Sequence, residues 1–206
     1  MVGRHQLICL LTCAHMGRRA RGNKSGPMRV ISQGDKVETR ALLRLEIEAT
    51  HQRFHDLLNL IPDESFSLPS SNPAWTVGQV LYHMSIAPRL MILDVQMISG
   101  QRWIYRLIPR LMSKNMFDWL NVRLTRYGAR NISRQFLADH YDQAHNSVLQ
   151  VLDTLPESDF ARSLPYPDWD ELLSGEVTME YLFGYIKRHF DSHAAQISNA
   201  VLESPS

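Results

Sequence analysis

Apolar residues recur at three- and four-residue steps in four long segments, and this spacing constrains the fold more than any other feature of the chain. The segments cover about residues 39–61, 76–99, 133–155 and 178–202. Such periodicity is typical of amphipathic helices that bury one face. No stretch of useful length alternates as a strand would. The sequence therefore predicts an all-α fold, a four-helix bundle.

The second of these segments carries the clearest local signals. Thr76 and Gln79 have the spacing of a capping box, which predicts a helix start at this point, and Gly100 ends the apolar pattern. Pro88 lies inside the pattern and lacks the amide that would bond to the Met84 carbonyl. We therefore expect the helix to kink or break within about a turn of His83.

Two segments between the helices have different characters. Residues 157–177 contain Pro165, Tyr166, Pro167, Trp169 and Gly175, and we interpret them as an aromatic-bearing loop. Residues 101–132 are extra to a four-helix plan and predict a helical insertion between bundle helices two and three.

The insertion is basic. Its cations recur every four residues with apolar residues beside them, which is typical of a basic amphipathic helix. These cations are Arg102, Arg106, Arg110 and Lys114. One interpretation is a solvated face over an apolar underside. The others are a lid whose Arg102, Arg106 and Arg110 contact an anionic substrate, a dimer contact, or an interfacial membrane anchor.

The first 36 residues have little pattern of a fold and predict a disordered N-terminal extension, which leaves residues 37–206 as the bundle domain. A short apolar run, residues 7–14, is followed rather than preceded by most of the local positive charge, unlike a secretory signal, and it is too short to span a bilayer. The only cysteines, Cys9 and Cys13, lie here, which suits a reducing compartment. We expect a cytoplasmic protein without a membrane span.

Charge is unevenly distributed along the chain. The formal net charge is +1, yet residues 1–36 carry seven Lys/Arg and one Asp, and residues 101–134 carry eight Lys/Arg and one Asp. The rest of the chain is therefore acidic. Because an acidic body repels phosphates and no nucleic-acid-binding motif is present, we expect no nucleic-acid partner.

The last helical segment contains half of a metal site. His189 and His193 are four residues apart within an apolar stripe, so both rings lie on one helix face about a turn apart. Burying two imidazoles side by side is unfavourable unless they share a ligand. His83, on the apolar face of the second helix, is the candidate third ligand, and three imidazoles with an open position are typical of a catalytic centre. A hydrogen-bonded core histidine is the alternative for each ring.

Other polar residues near this pattern have weaker assignments. Gln196, three residues after His193, can orient a ligand or a substrate, or it is an exposed helix glutamine. Glu48 and His51 have the Glu-x-x-His spacing of di-iron bundles, which need a second such pair. Because the sequence has no second Glu-x-x-His pair, we interpret His51 as a pocket-lining or core residue. His55, His140 and His145 are interpreted as surface or hydrogen-bonded histidines.

Two motifs carry a resemblance to a known family. Residues 75–83, Trp-Thr-Val-Gly-Gln-Val-Leu-Tyr-His, resemble the start of the second helix in DinB-like proteins, which pattern as Trp-Ser/Thr-x-x-Glu/Gln-aliphatic-x-x-His. Residues 189–197, His-Phe-Asp-Ser-His-Ala-Ala-Gln-Ile, resemble their closing His-x-x-x-His-x-x-Gln-Ile/Leu segment. The resemblance covers about residues 38–203, with both motifs in the family's order. Pro88 and the basic insertion depart from the family pattern.

The resemblance implies an up-up-down-down four-helix bundle, often a homodimer, with a divalent metal bound by His83, His189 and His193. Family members include thiol-dependent transferases and isomerases that use low-molecular-weight thiols such as mycothiol or bacillithiol. Three imidazoles suit zinc or nickel, and also iron or copper. We expect a metal-dependent enzyme acting on a small molecule. The alternative is a non-catalytic bundle that binds a small molecule or a partner, with a structural metal or none.

Overall fold

The computed structural model describes residues 33–100, 113–170 and 172–202, and the side chains of residues 39–100, 113–167 and 172–197. Within these ranges the chain forms five α-helices: α1 (Gln33–Leu60), α2 (Val77–Ile98), α3 (Lys114–Gly128), α4 (Arg134–Thr154) and α5 (Met179–Leu202). Two strands, β1 (Ser163–Asp170) and β2 (Leu173–Thr178), precede α5. The predicted disordered extension lies outside the described residues except for its last four, which begin α1.

Helices α1, α2, α4 and α5 form the predicted bundle, and the all-α four-helix prediction is confirmed. Helices α1 and α2 each pack against both α4 and α5. The core consists of two apolar clusters stacked along the bundle axis. One gathers the start of α1, the end of α2, the end of α4 and the start of α5. The other gathers the opposite end of each helix.

The direction of the helices differs from the up-up-down-down order implied by the resemblance. Near the start of α1, Arg40 donates to the carbonyl oxygen of Leu155 just past the end of α4, whereas Arg134 at the start of α4 donates to the carbonyl oxygen of Ile61. Helices α1 and α4 are therefore antiparallel. Since the two core clusters place the start of α2 with the start of α4, and the start of α5 with the start of α1, the order is up-down-down-up.

The insertion explains this order, because parallel helices α2 and α4 need a connection that returns along the bundle. Helix α3 supplies the return, and its last residue, Gly128, lies so close to α2 that a Cβ there would overlap the Tyr82 hydroxyl. A helix in the insertion is thus present. The predicted Arg102–Arg106–Arg110 series falls outside the described residues. Ser113 has an extended backbone and caps α3, so Lys114 starts a new helix and does not continue that series.

The loop interpretation of residues 157–177 is wrong, because most of this segment is an antiparallel hairpin. Strand β1 pairs with β2 from Ser163 opposite Thr178 to Tyr166 opposite Gly175, and an irregularity follows. Proline is tolerated in β1 because a two-stranded hairpin leaves the outer edge of each strand unpaired. Gly175 adopts a positive φ of 72°, which a glycine accommodates readily.

The signals in the second segment hold, with one exception. Thr76 and Gln79 form both hydrogen bonds of the predicted capping box. Of the predicted kink or break at Pro88, the break does not occur, because helix α2 is continuous through this residue. Helix α1 begins at Gln33, six residues before Thr39.

None of the helices in the described part of the chain combines the length and apolar character needed to cross a bilayer.

Candidate metal centre

Three histidines from two facing helices meet in the core. His83 projects from α2 and is fully buried, while His189 and His193 project from α5 and are each 3% exposed. The Nε2 atoms of His83 and His189 are 3.2 Å apart, and one ring nitrogen from each of the three residues lies within 4.8 Å of the others. The three predicted ligands are therefore brought together on the α2–α5 seam.

Local structure fixes these positions. The capping box sets where α2 starts, and His83 follows seven residues after the capping Thr76, between the buried Val80 and Met84. The α5 histidines share one face because four residues make slightly more than one turn. The backbone N–H of Ser71 also donates to the carbonyl oxygen of Gln196, which ties the segment before α2 to α5.

Burial keeps all three imidazoles neutral. Desolvation lowers the pKa of His83 and of His189 well below the ordinary histidine value, and neighbouring histidines lower both further. Burial lowers the pKa of His193 to about 4, although its hydrogen bond to Gln196 acts in the opposite direction. A neutral imidazole offers a lone pair, which is the form that binds a metal.

The geometry fits a divalent transition metal. Two imidazole nitrogens that each lie about 2.1 Å from a shared ion are separated by about 3.0–3.4 Å, and the His83–His189 pair lies at 3.2 Å. Three neutral nitrogen donors suit zinc, nickel, iron or copper and do not suit magnesium or calcium. The residues present therefore fit the kind of metal that the resemblance implies.

Gln196 lies where a ligand-orienting residue is expected. Its Oε1 accepts a hydrogen bond from Nδ1 of His193 at 3.0 Å. Because an amide oxygen is an acceptor only, this bond places the proton of His193 on Nδ1 and leaves the lone pair on Nε2. The Asn72 amide contacts the same oxygen at 3.5 Å, a long and weak contact.

Aromatic residues cover the histidines. The Trp75 ring lies 4.6 Å from the His83 ring and 6.0 Å from the His193 ring, and the Tyr185 ring lies 5.5 Å from the His189 ring. A small cavity of about 10 Å³ adjoins His189 and is lined mainly by apolar residues of α2 and α5 together with Tyr141. The centre is thus shielded from bulk water on the sides these residues occupy.

Trp75 also lines a basic groove. Helix α3 contributes Arg123 and Arg126 to it, the 3-10 turn that follows α3 contributes Arg130, and Trp75 forms part of its wall. Arg126 is held in place by two hydrogen bonds to the Ala74 carbonyl oxygen. The predicted anion contacts, Arg102, Arg106 and Arg110, lie outside the described residues. Among the described residues of the insertion, the groove arginines are the three named above.

His51 lies elsewhere. It projects from α1 toward α4, where its Nε2 is 2.6 Å from Oδ1 of Asp142. His55 contacts the same carboxylate oxygen, and the His145 ring stacks on the His51 ring at 4.1 Å. Asp142 was not among the site residues predicted from the sequence. Its signal is Asp142-x-x-His145, which repeats on α4 the carboxylate-x-x-His spacing of Glu48 and His51 on α1.

A comparison with curated proteins finds no match to the chain. Among solved structures, the chain is similar to YfiT from Bacillus subtilis, described as a probable metal-dependent hydrolase with an unusual four-helix bundle topology. The two are 19% identical, the alignment covers 87% of this chain and 93% of that one, and the TM-score is 0.48.

The family comparison covers most of the bundle. The family model described as the DinB superfamily matches residues 46–197, a span that begins within α1 and contains His83, His189 and His193. A match over this much of the chain, on a four-helix bundle, identifies the family directly: the chain belongs to the DinB superfamily.

Proposed function

We propose that the chain is a divalent-metal-dependent enzyme that acts on a small molecule, with His83, His189 and His193 as metal ligands. The observation that carries this proposal is the convergence of three buried, neutral imidazoles from α2 and α5. Zinc and nickel are the metals we favour, because both accept a set of three imidazoles with open positions.

The chemistry follows from the ligand set. A divalent metal in such a site acts as a Lewis acid that lowers the pKa of a water or a thiol and polarises an electrophile. The chain's own residues hold the site. Gln196 fixes the His193 tautomer by accepting from Nδ1, and Trp75 and Tyr185 limit the access of bulk water to the rings.

We propose that a small molecule, not a side chain of the bundle, supplies the nucleophile. The two cysteines of the chain, Cys9 and Cys13, both precede α1 and lie outside the described residues. No glutamate adjoins either histidine of α5 in sequence, as the general base does in His-Glu-x-x-His metalloproteases. We therefore propose that a low-molecular-weight thiol supplies the sulfur in a transferase or isomerase reaction. With water in its place, the same site would perform hydrolysis.

We propose further that the groove beside α3 receives the substrate. Arg123, Arg126 and Arg130 give it a positive potential, which attracts anions. Trp75 connects this groove with the histidines, since it lines the groove and its ring lies 4.6 Å from the His83 ring. A small anionic substrate or thiol would dock here with its reacting group toward Trp75. A homodimer and a cytoplasmic location stay predictions.

Metal analysis of protein prepared without a histidine tag tests the site. After dialysis against a weak chelator, the wild-type chain should retain about one equivalent of metal, and His189→Ala should lose most of it. His189→Gln, which better preserves side-chain volume, should lose it too. His140→Ala is the matched control, because His140 stacks on Phe136 away from the centre. A metal content below about a tenth of an equivalent, unchanged by His189→Ala, would contradict the proposal.

Activity is then tested with a panel of thiols and electrophilic substrates, comparing metal-loaded with metal-depleted protein. Turnover that requires both metal and thiol supports a thiol-dependent enzyme. Metal-dependent turnover without a thiol indicates a hydrolase. Metal binding with no metal-dependent turnover across the panel would favour the alternative function, a non-catalytic bundle that binds a small molecule.

A further inference from the structure

A second cluster of metal-binding side chains lies on the opposite side of the bundle from the first. His51 and His55 project from α1, and Asp142 projects from α4. The histidine centre lies between α2 and α5. Because α1 and α2 each pack between α4 and α5, the α1–α4 and α2–α5 seams share no helix. The second cluster therefore cannot be an extension of the first.

The ligand atoms of this cluster form a compact triangle. Nε2 of His51 lies 2.6 Å from Oδ1 of Asp142, and Nε2 of His55 lies 2.7 Å from the same oxygen. The two Nε2 atoms are 3.3 Å apart. A triangle of these dimensions allows an ion to lie about 2.1 Å from each corner, above its plane.

The surroundings suit an ion that arrives from solvent. The side chains of His51, His55 and Asp142 are 28%, 25% and 44% exposed, respectively. His145 supports the arrangement from α4, because its ring stacks on that of His51. Arg44, a cation whose charge acts on His145, is paired with Glu48 and Asp153, which offsets its repulsion of a metal.

We propose that His51, His55 and Asp142 form a second divalent-metal site that bridges α1 and α4. Two imidazole nitrogens and one carboxylate oxygen are the donors that Zn²⁺, Fe²⁺, Ni²⁺ and Cu²⁺ accept, whereas Mg²⁺ and Ca²⁺ prefer oxygen alone. The three residues leave positions open to solvent. Ion binding would hold α1 against α4 and stabilise the folded chain, because the unfolded chain lacks the assembled ligands. The site does not depend on whether the His83 centre is catalytic.

The competing explanation is a hydrogen-bonded cluster in which both histidines donate to Asp142 and no metal binds. The two explanations differ in what Asp142→Asn does. An asparagine keeps an acceptor oxygen at the same place but removes the carboxylate, so it preserves much of the hydrogen bonding and weakens metal binding. His55→Ala removes a ligand from the same cluster. His140→Ala again serves as the control, since it removes a histidine of α4 that lies outside the cluster.

Zinc titrations of the tag-free chain, followed by metal analysis at buffered low-micromolar free zinc, test the proposal. The wild-type chain should bind about two equivalents, and His189→Ala, His55→Ala and Asp142→Asn should each bind about one. The affinity at the second site should fall at least tenfold in both cluster variants and stay unchanged in His140→Ala. In the His189→Ala background, zinc should raise the melting temperature, and Asp142→Asn should remove that rise.

Two results would overturn the inference. One is a single equivalent in the wild-type chain that His189→Ala abolishes. The other is a second equivalent that persists in both His55→Ala and Asp142→Asn. Electron paramagnetic resonance of Cu²⁺ added to the His189→Ala chain gives a direct check, because two imidazole ligands should produce nitrogen hyperfine coupling that His55→Ala reduces.

Discussion

Replacing Gln196 by leucine should weaken metal binding at the His83 centre without removing a ligand. The wild-type amide oxygen accepts from Nδ1 of His193 at 3.0 Å, and this bond selects the tautomer with a free Nε2. Leucine has a similar size but no acceptor. Loss of such a supporting hydrogen bond lowers metal affinity by about 10- to 100-fold, or about 1.4–2.7 kcal/mol.

The protonation state of His193 identifies the cause of the weaker metal binding. Burial lowers the pKa of His193 to about 4, and the hydrogen bond to Gln196 raises it. Without the bond the pKa falls further, so His193 stays neutral at pH 7 in both forms. Competition with protons therefore cannot account for weaker binding in Gln196→Leu. Loss of the tautomer and of the ring orientation is the remaining cause.

Competition with a chromophoric zinc chelator measures the zinc affinity of the His83 centre. All variants carry Asp142→Asn, so that zinc binds at the His83 centre alone. Gln196→Glu is the matched variant, because a carboxylate keeps the acceptor and should bind zinc at least as tightly as the parent chain. An affinity of Gln196→Leu within about threefold of the parent, in a folded chain, would refute the reasoning. Equal losses in both variants would show that packing, not hydrogen bonding, matters at this position.

Two other changes have expected outcomes. Burial raises the pKa of Asp94 to about 8, so its contribution to stability is greatest below about pH 4 and decreases as the pH rises to 8. The loss of stability amounts to up to roughly 6 kcal/mol. Urea unfolding at several pH values should show that Asp94→Asn removes most of this pH dependence. In the groove, the double change Arg123→Glu and Arg130→Glu should raise KM for an anionic thiol about tenfold at low salt and by a smaller factor at high salt. A KM that is the same in the double variant and the wild-type chain would exclude the groove as the docking site.

Local signals predicted the parts of the fold that depend on neighbouring residues. The capping box at Thr76 and Gln79 forms as expected because both partners are three residues apart. The placement of His189 and His193 on one helix face follows from their four-residue spacing alone. His83 joined them because the apolar stripe of α2 faces the same core as that of α5.

Features that depend on distant pairs were harder to predict. The hairpin was missed because Pro165 and Pro167 interrupt β1, and the pairing that tolerates them involves β2 rather than local sequence. The association of His51 with Asp142 joins positions 91 residues apart, which no single-segment pattern reports. The helix directions depend on where the insertion returns the chain, and periodicity within a helix carries no information about that.

The packing of α1 and α2 against α4 and α5 also affects how the chain is synthesised. The main partners of the first two bundle helices are the last two, so the apolar stripes of α1 and α2 emerge from the ribosome before the surfaces that will cover them. During translation these stripes are open to water and to other nascent chains, as is typical of folds with many long-range contacts. Chaperone binding would be most useful in the interval between the emergence of α2 and that of α4.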